Sequence, residues 1–179
     1  MVMGNIGGSG SGTGVQGPPG PPGPPGGFDP ASSALAVYAR AVLPPLPLPG
    51  PGIWLPLDFG VVEQDTHQSI QTGAIWRFRP PLQGTYLFQV SLLFQPMGAQ
   101  PGGISLRFMR NSQIEENEQS FVLTSQQLFP ISAQASYLAQ LAPGETMHVE
   151  LRNNIAPLLQ IWPGPPRSSI VIQGIGVVP

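Results

Sequence analysis

The sequence has no cysteine and no lysine, and only 9% of its 179 residues are charged. Without cysteine the chain can form neither a disulfide framework nor a thiolate metal site. All seven basic residues are arginines, and because they form no basic stripe, nucleic-acid binding is not expected. A typical globular chain carries about 25% charged residues. The shortage indicates that other chains cover much of the surface, or that Gln, Ser and Asn supply its polarity.

Long apolar runs are also missing, since none approaches the ~18 residues that a membrane span requires. The first residues, MVMGNIGGSGSGTG, have no charged n-region and no apolar h-region, so we do not expect a signal peptide. Delivery by assembly rather than by secretion, without membrane insertion, is therefore favoured. No acid–base pair, nucleophile signature or metal cluster stands out, so the sequence predicts neither an enzyme nor a cofactor.

The N-terminal residues 1–16 are rich in Gly and Ser, with isolated Val2, Met3, Ile6 and Val15. Such a composition alone is typical of a flexible arm. We interpret it as an arm that anchors the protein on a partner or on neighbouring subunits. The alternative is a tail with little order of its own.

Residues 17–27 follow the collagen rule, with glycine at Gly17, Gly20, Gly23 and Gly26. Only glycine fits at the axis of a three-chain helix, and ten residues at ~3.1 Å each span roughly 30 Å. Three triplets are too few to trimerise alone. They are predicted to form a short triple helix only if another part of the chain holds three copies together; the alternative is a single-chain proline-rich spacer.

A neck at 28–34 leads to a domain at 35–179 with β-strand patterns. The clearest alternation places large apolar residues on one face of 84–94, namely Tyr86, Phe88, Val90, Leu92 and Phe94. Segments 74–79 and 103–111 alternate similarly, and Gly, Pro and Asn separate the strands at spacings of about 8–14 residues. The proline-dense stretch 43–57 must be edge strand, loop or surface wrap. We predict an all-β sandwich or jelly roll of eight to ten strands.

Several motifs of this domain, taken in order, resemble the complement/TNF superfamily. In RFRPPLQGTYLFQVSLLF, the residues Phe78, Pro81, Gly84, Tyr86 and Phe88 stand at the positions of that family's central signature. The segment LRFMRN resembles a later strand that ends in an Arg-Asn turn. The segment YLAQLAPGETMHVELRN resembles a strand and turn of the family, and IVIQGIGVV resembles its closing strand, with Gly174 near the family's glycine.

The resemblance implies a ten-stranded jelly roll over residues 35–179 that associates as a homotrimer about an aromatic and aliphatic axis. A collagen-like stretch directly upstream is the family's usual companion, which strengthens the resemblance. The chain departs from the family pattern in 43–57 and in IWPGPPRSS (161–169).

Two histidines and an acidic segment are the first candidate sites. His67 lies near Glu63 and Asp65 and could belong to a cation or ligand site, although a solvated loop is favoured. His148 alternates with Glu150 on the expected outer face of a strand. The segment 113–119 contains three glutamates, Glu115, Glu116 and Glu118; calcium favours such oxygens, but the spacing fits no loop motif and a solvated hairpin tip is favoured.

Trp54, Trp76 and Trp162 are the candidates for stacking against a sugar. Trp76 is expected in the core, while Trp54 and Trp162 lie among prolines and are expected at the surface or between subunits. Arg77 and Arg79 share a strand face and could form ion pairs between subunits.

These features favour a trimeric structural protein on the surface of a larger particle, anchored by the arm to a capsid, tail or surface-layer protein. A phage virion protein is the leading hypothesis: a head fibre, decoration protein, spike or tail-associated fibre. The alternative is a subunit of a bacterial spore surface or appendage filament. A third hypothesis is a trimeric adhesin that binds a host-surface receptor or glycan, which would place it on a cell surface.

Overall fold

The computed structural model describes residues 37–46, 48, 50–73, 75–96, 102–123, 131–154 and 159–178. The anchoring arm, the collagen-like stretch and the neck all lie outside these residues. The stalk glycines Gly17, Gly20, Gly23 and Gly26 and the proposed boundaries at 16, 27 and 34 therefore remain predictions.

The described residues form twelve β-strands and contain no helix. The strands are β1 (Tyr38–Val42), β2 (Trp54–Pro56), β3 (Val61–Asp65), β4 (Ile70–Gln71), β5 (Arg77–Phe78), β6 (Gln83–Pro96), β7 (Gly102–Arg110), β8 (Ile114–Leu123), β9 (Ile131–Leu141), β10 (Met147–Asn153), β11 (Leu159–Ile161) and β12 (Ser169–Val178). Four of them, β2, β4, β5 and β11, have only two or three residues. These short strands explain why the structure has more strands than the ten that were predicted.

The strands form two antiparallel six-stranded sheets. In the first, which we call sheet A, the order is β11-β6-β12-β1-β3, and β9 pairs with the free side of β6. In the second, sheet B, the order is β4-β5-β10-β7-β8, and β2 pairs with β10. Consecutive strands often lie in different sheets, as expected of a jelly roll, and the prediction of an all-β jelly-roll sandwich is confirmed.

The core lies between the two sheets and is filled by the apolar positions that alternate along their strands. All five large residues predicted to share a face of 84–94 are buried, as are Trp76 and Phe78. Strand β9 alternates between inward and exposed residues along its length, and all its inward residues are buried except the half-buried Tyr137. Its buried positions include three alanines, Ala133, Ala135 and Ala139, which leave room for aromatic rings from the facing sheet.

The proline-dense stretch, for which the sequence left edge strand, loop and surface wrap open, forms mostly loop in its described residues. It contributes only the three-residue strand β2 at the side of β10, while the intervening leucines Leu43, Leu48 and Leu57 are buried in the core. Prolines cannot donate to a sheet ladder, so this stretch is held by its buried leucines and by single backbone hydrogen bonds, such as the one from the N–H of Leu43 to the carbonyl oxygen of Ser168 at 2.9 Å.

One end of the sandwich, which we call the proximal end, contains Val37, the first of the described residues. There Val37 accepts a hydrogen bond from the backbone N–H of Gly174 at 2.8 Å. The turn 142–146 between β9 and β10 and the start of β6 at Gln83 lie at the same end, because Gly84 pairs with both Leu141 and Val177.

Candidate assembly surface

The outer face of sheet A lacks charged residues along its three longest strands. Its outward positions are occupied by amide, hydroxyl and aliphatic side chains: Thr85, Leu87, Gln89, Ser91 and Leu93 on β6, Ser132, Gln134, Ser136, Leu138 and Gln140 on β9, and Ser169, Val171 and Gln173 on β12. We call this set the sheet A surface. An ion pair between Arg40 and Glu63, at 2.8 Å, lies beyond it on β1 and β3.

The sheet A surface is shaped as a ridge between two hollows. Across the strands, Leu87 lies opposite both Leu138 and Gln173, and these three larger side chains form the ridge. The side chain of Leu138 is 55% exposed. A hollow of about 440 Å³ lies on one side, lined by Gln89, Val90, Ser91, Gln134, Ala135, Ser136, Ser169 and Val171. A hollow of about 400 Å³, which we call the proximal hollow, lies on the other, lined by Gln83, Gly84, Thr85, Gln140, Leu141, Ala142, Glu145 and Gly176.

Sheet B carries the opposite kind of surface. Five arginine–glutamate ion pairs connect its strands and the turn that leads into β10: Arg107–Glu115, Arg107–Glu150, Arg110–Glu116, Arg110–Glu145 and Arg152–Glu118. The N–O distances are 2.6–3.3 Å. The pairs of Arg107 and Arg152 lie on the outer face of sheet B, so most of the charge there is already paired within one chain. Arg110, in register with the buried Met147, forms its two pairs at the proximal edge of the sandwich.

The two faces have different consequences for association. Covering a charged face with protein removes its ions from water, which costs several kcal/mol per ion unless new partners compensate. Covering an uncharged face of glutamine, serine and leucine carries no such penalty, because amides and hydroxyls can exchange water for partners on another chain. The sheet A surface is therefore the face of this domain that another protein can cover at low cost.

The family-signature residues form part of the core that supports this surface. The ring of Phe78 packs edge-to-face with those of Tyr86 and Phe88, with centroids 5.2 and 5.5 Å apart. The buried hydroxyl of Tyr86 donates a 2.6 Å hydrogen bond to the carbonyl oxygen of Leu82, and burial raises the pKa of this phenol. Gly84 lines the proximal hollow.

Trp54 lies on the sheet B side, where two arginines contact its ring. The guanidinium carbons of Arg107 and Arg152 lie 4.1 and 4.4 Å from the ring centroid. Trp54 therefore contacts two of the three arginines that form the ion pairs of sheet B. A sugar could stack on Trp54 only beside these guanidinium groups.

Replacing Trp54 tests the role of these contacts. We expect Trp54→Ala to lower the free energy of unfolding by about 1–3 kcal/mol, since it removes two cation–π contacts and buried ring area. Trp54→Phe should lose less, because a phenyl ring retains part of both. Urea unfolding at fixed protein concentration measures the difference, and equal losses in the two variants would contradict the role given to the ring.

Trp162 lies on the sheet A side, directly after β11. Its backbone N–H donates to the carbonyl oxygen of Leu93 at 2.8 Å. The indole packs against Gly164 so closely that a Cβ added at this glycine would lie 2.8 Å from the indole nitrogen. Trp162 is therefore held against its own loop beside the sheet A surface, and it lies on the other side of the sandwich from Trp54.

His67 lies in a turn organised by Asp65. The carboxylate of Asp65 accepts hydrogen bonds from the hydroxyl of Ser69 at 2.8 Å and from the backbone N–H of Ile70 at 2.7 Å. Burial raises the pKa of this carboxyl, but the hydrogen bonds outweigh it and leave the pKa below its ordinary value. The imidazole Nδ1 of His67 lies 2.8 Å from the hydroxyl oxygen of Thr66.

His148 lies on the outer face of sheet B, as predicted, but it is buried there, with 2% exposure. On β7 it lies opposite Met109. On β5 it lies near Arg77, because the preceding residue Met147 pairs with Phe78. Its Nε2 lies 3.1 Å from a carboxylate oxygen of Glu150. Burial lowers the pKa of His148; Glu150 opposes this shift, while the charges of Arg77 and Arg107 reinforce it.

The burial of His148 predicts a pH dependence of stability. Because the folded state disfavours the imidazolium, the unfolded chain binds the proton more readily as the pH falls below about 6.5. Stability should therefore be full above that pH and decline as the pH drops towards the lower pKa of the folded state. Urea unfolding of the native chain and of His148→Gln between pH 7.5 and 5 measures this. An unchanged pH slope in the variant would show that another group is responsible.

The three glutamates of 113–119 lie on β8 rather than at a hairpin tip. The turn that precedes them is formed by 111–113, and each glutamate has an arginine partner, Arg107, Arg110 or Arg152. Glu116 also accepts a 2.7 Å hydrogen bond from the hydroxyl of Tyr137, and burial and this carboxylate raise the pKa of Tyr137 to about 12. Among the described residues no group of three or more His, Asp or Glu is arranged to hold a metal ion.

Sequence reasoning did not identify the sheet A surface. The sequence nevertheless contained an indication of this surface. In 84–94 and 131–141 the residues that alternate with the buried apolar ones are all Gln, Ser, Thr or Leu, and none of them is charged. Arg77 lies on β5 of sheet B, and Arg79 directly follows this strand, so neither belongs to the sheet A surface. Arg77 donates a 3.2 Å hydrogen bond to the hydroxyl oxygen of Ser112.

No family model matches the chain, and a search of curated proteins found no match. Solved structures with the same architecture do exist. The crystal structure of murine APRIL at pH 5.0 superposes with a TM-score of 0.51 and 13% sequence identity, over 78% of this chain and 99% of that chain. The pH 8.0 structure of murine APRIL gives a TM-score of 0.50 at the same identity and coverage.

A third structure, Eiger TNF from S. frugiperda, gives a TM-score of 0.49 with 15% identity over 81% of this chain and 94% of that chain. The sequence resemblance and the APRIL structures agree on the fold: the chain is a TNF-like jelly roll. In the part of the chain that the structure describes, no helix has the length and apolar character needed to cross a membrane.

Proposed function

We propose that this protein is a non-enzymatic homotrimer that forms a structural element on the surface of a larger particle. The single observation that carries the proposal is the contrast between the two faces of the sandwich. Most charges of sheet B are paired within one chain, whereas the sheet A surface has no charged residue. Three copies arranged about a closed axis would bury the sheet A surface, and cyclic symmetry would leave no copy with an uncovered face.

The interface proposed here differs from the aromatic and aliphatic axis implied by the family resemblance. No aromatic residue occupies the outward positions of β6, β9 and β12 in the described chain. Leu87, Leu93, Leu138 and Val171 supply the aliphatic part, and glutamine, serine and threonine side chains supply the rest. Polar interfaces of this kind gain their specificity from hydrogen bonds and trapped water.

The position of Val37 supports a role for the collagen-like stretch. Val37 lies on sheet A beside β12, so a trimer built on the sheet A surface would bring three N-terminal segments together at the proximal end. Held in this way, even three Gly-Pro-Pro triplets could wind into a short triple helix. The stalk would then direct three arms of residues 1–16 towards one attachment point.

A phage virion is the particle that we favour, with a bacterial spore surface or appendage as the alternative. Immunoelectron microscopy of purified phage particles and purified spores, with an antibody against the head, distinguishes them. Deleting residues 1–16 should abolish incorporation while leaving the head trimer intact. Incorporation of the truncated protein at the native level would show that the arm is not the attachment element.

The stalk has its own test in Gly20→Val. A side chain at the axis of a triple helix disrupts it locally, so this substitution should weaken incorporation and leave the mass of the head assembly unchanged. Dissociation of the trimer by Gly20→Val would instead assign trimerisation to the stalk.

A further inference from the structure

His148 is a titratable side chain enclosed in the outer face of sheet B. It is 2% exposed. Its neighbours across the strands are Met109 of β7, which is itself buried, and Arg77 of β5. Residues directly opposed on one face of a sheet have Cβ atoms only about 5 Å apart. The long side chain of Arg77 is therefore placed to cover the imidazole on the side of β5.

The imidazole of His148 can take up a second proton only at an enclosed atom. Its Nε2 lies 3.1 Å from a carboxylate oxygen of Glu150. Since a carboxylate only accepts hydrogen bonds, Nε2 carries the proton of the neutral ring. The next proton goes to Nδ1, which is buried and has no hydrogen-bond partner among the described residues. A buried N–H without an acceptor is costly, so the surroundings of Nδ1 must open before His148 becomes charged.

The charges around His148 add to this obstacle. Glu150 on the same strand is the acid beside it, but that carboxylate is also bound to Arg107 of β7, at 2.6 Å. Arg77 of β5 has no carboxylate within ion-pair distance in the described part of the chain. Strand β4 carries no titratable residue, and Glu115 of β8 is bound to Arg107. A charged imidazole would therefore face two arginines and one shared carboxylate.

Arg77 is tied to a turn that has an unusual backbone conformation. A guanidinium nitrogen of Arg77 donates a 3.2 Å hydrogen bond to the hydroxyl oxygen of Ser112. Asn111 and Ser112 have φ angles of 53° and 60°, in the left-handed region that residues other than glycine seldom adopt. The backbone N–H of Asn111 donates to the carbonyl oxygen of Thr146, and its side-chain oxygen accepts from the N–H of Thr146. Strain of this kind persists where neighbouring contacts enforce it, and it is common in switch regions.

We propose that Arg77 and Ser112 form an acid-sensitive latch over His148. At neutral pH the guanidinium covers the neutral imidazole and holds the turn 111–113. When His148 takes up a proton, the guanidinium is repelled, leaves Ser112 and turns into solvent, and water reaches Nδ1. The backbone of β5 stays in place, because the flanking Trp76 and Phe78 are fully buried. The parts that move are therefore one side chain and the turn between β7 and β8.

The latch opens as the pH falls. Burial, reinforced by the charges of Arg77 and Arg107, outweighs Glu150 and holds the pKa of the enclosed His148 below its ordinary value. A hydrated imidazole in the open form would titrate near its ordinary value of about 6.5. The open form therefore gains on the closed form only below about pH 6.5, by at most about tenfold per pH unit. This local change takes place within the folded protein and is distinct from the decline of global stability.

Amide hydrogen exchange at pH 7.5 and 5.5 tests the latch, when rates are expressed as protection factors to remove the intrinsic effect of pH. The backbone N–H groups of Asn111 and Gln113 are hydrogen-bonded in the turn, and their protection should fall at least threefold at pH 5.5. Protection of Gln89 in β6 should not change. His148→Gln should remove the pH response, because glutamine cannot be charged. Arg77→Met keeps an aliphatic cover without the charge or the donor, so it should give the low protection at both pH values.

The matched control is Arg79→Met. Arg79 directly follows β5 and is exposed, so this variant loses the same charge outside the latch and should keep the native pH response. Three results would overturn the proposal: native turn protection that is equal at the two pH values, a native-like response in His148→Gln or Arg77→Met, or loss of the response in Arg79→Met.

The titration of the imidazole gives a measurement that requires no substitution of His148. The chain has only two histidines, so the carbon-bound ring protons of His67 and His148 can be followed separately by NMR. Arg77→Met and Ser112→Ala should each move the midpoint of His148 up towards its ordinary value, because the cover or its attachment is lost. Arg79→Met should leave the midpoint unchanged. An identical His148 midpoint in the native chain and in Arg77→Met would contradict the latch.

Discussion

Leu138→Arg is expected to convert the trimer into monomers. Leu138 stands on the ridge of the sheet A surface and is 55% exposed in the single chain, so arginine fits there without disturbing the fold. In the assembly each guanidinium would be buried on a face without acidic partners. An uncompensated buried charge costs about 3–5 kcal/mol, which corresponds to roughly 10²–10⁴ in the association constant. Sedimentation equilibrium over a range of concentrations measures the effect.

The matched control for this substitution is Val122→Arg. Val122 is an exposed apolar residue on a long strand, like Leu138, but it lies on β8 of sheet B. It should leave the association constant unchanged within a factor of about three. Equal weakening by both substitutions would mean that assembly does not depend on the sheet A surface, and weakening by Val122→Arg alone would place the interface on sheet B.

Phe78→Ala is expected to have the largest effect on stability. The ring of Phe78 is fully buried and packs against those of Tyr86 and Phe88. Removing a buried phenyl ring costs about 3–5 kcal/mol, the lost transfer free energy plus the cavity. The loss is a large fraction of the ~5–15 kcal/mol that stabilises a typical domain. Urea unfolding followed by tryptophan fluorescence, at a single protein concentration, gives the change.

Phe78→Leu is the conservative counterpart. Leucine retains much of the apolar volume, so the loss should be less than half of that for alanine. Because association adds to apparent stability in a concentration-dependent way, both variants are compared in the Leu138→Arg background as well. A cost below about 1 kcal/mol for Phe78→Ala would contradict the central position of this residue in the core.

The alternation of residues made the fold predictable. Large apolar residues occupy every second position from Tyr86 to Phe94, and all five of them are buried in the core. Proline placement indicated that 43–57 would be edge strand, loop or surface wrap, and its described residues form loop and the short strand β2. Local sequence therefore gave the strands, and the order of the motifs gave the resemblance to the TNF-like jelly roll.

The candidate surface could not be predicted in the same way, since it depends on which strands become neighbours. Leu87, Leu138 and Gln173 are far apart in sequence and meet only through the register of β6, β9 and β12. The partners of Glu116 could not be predicted from the sequence for a similar reason. A register shift in the β7–β8 pairing occurs at this point, and Arg110 and Tyr137 come from other strands.

The mass of the full-length chain in solution tests the central claim most directly. Light scattering coupled to size exclusion, at micromolar concentration and in both low and moderate salt, should give three times the 18.9 kDa of one chain. The value should change little with salt, because the proposed interface contains no ion pair for salt to screen. A mass of one chain under these conditions would contradict the account.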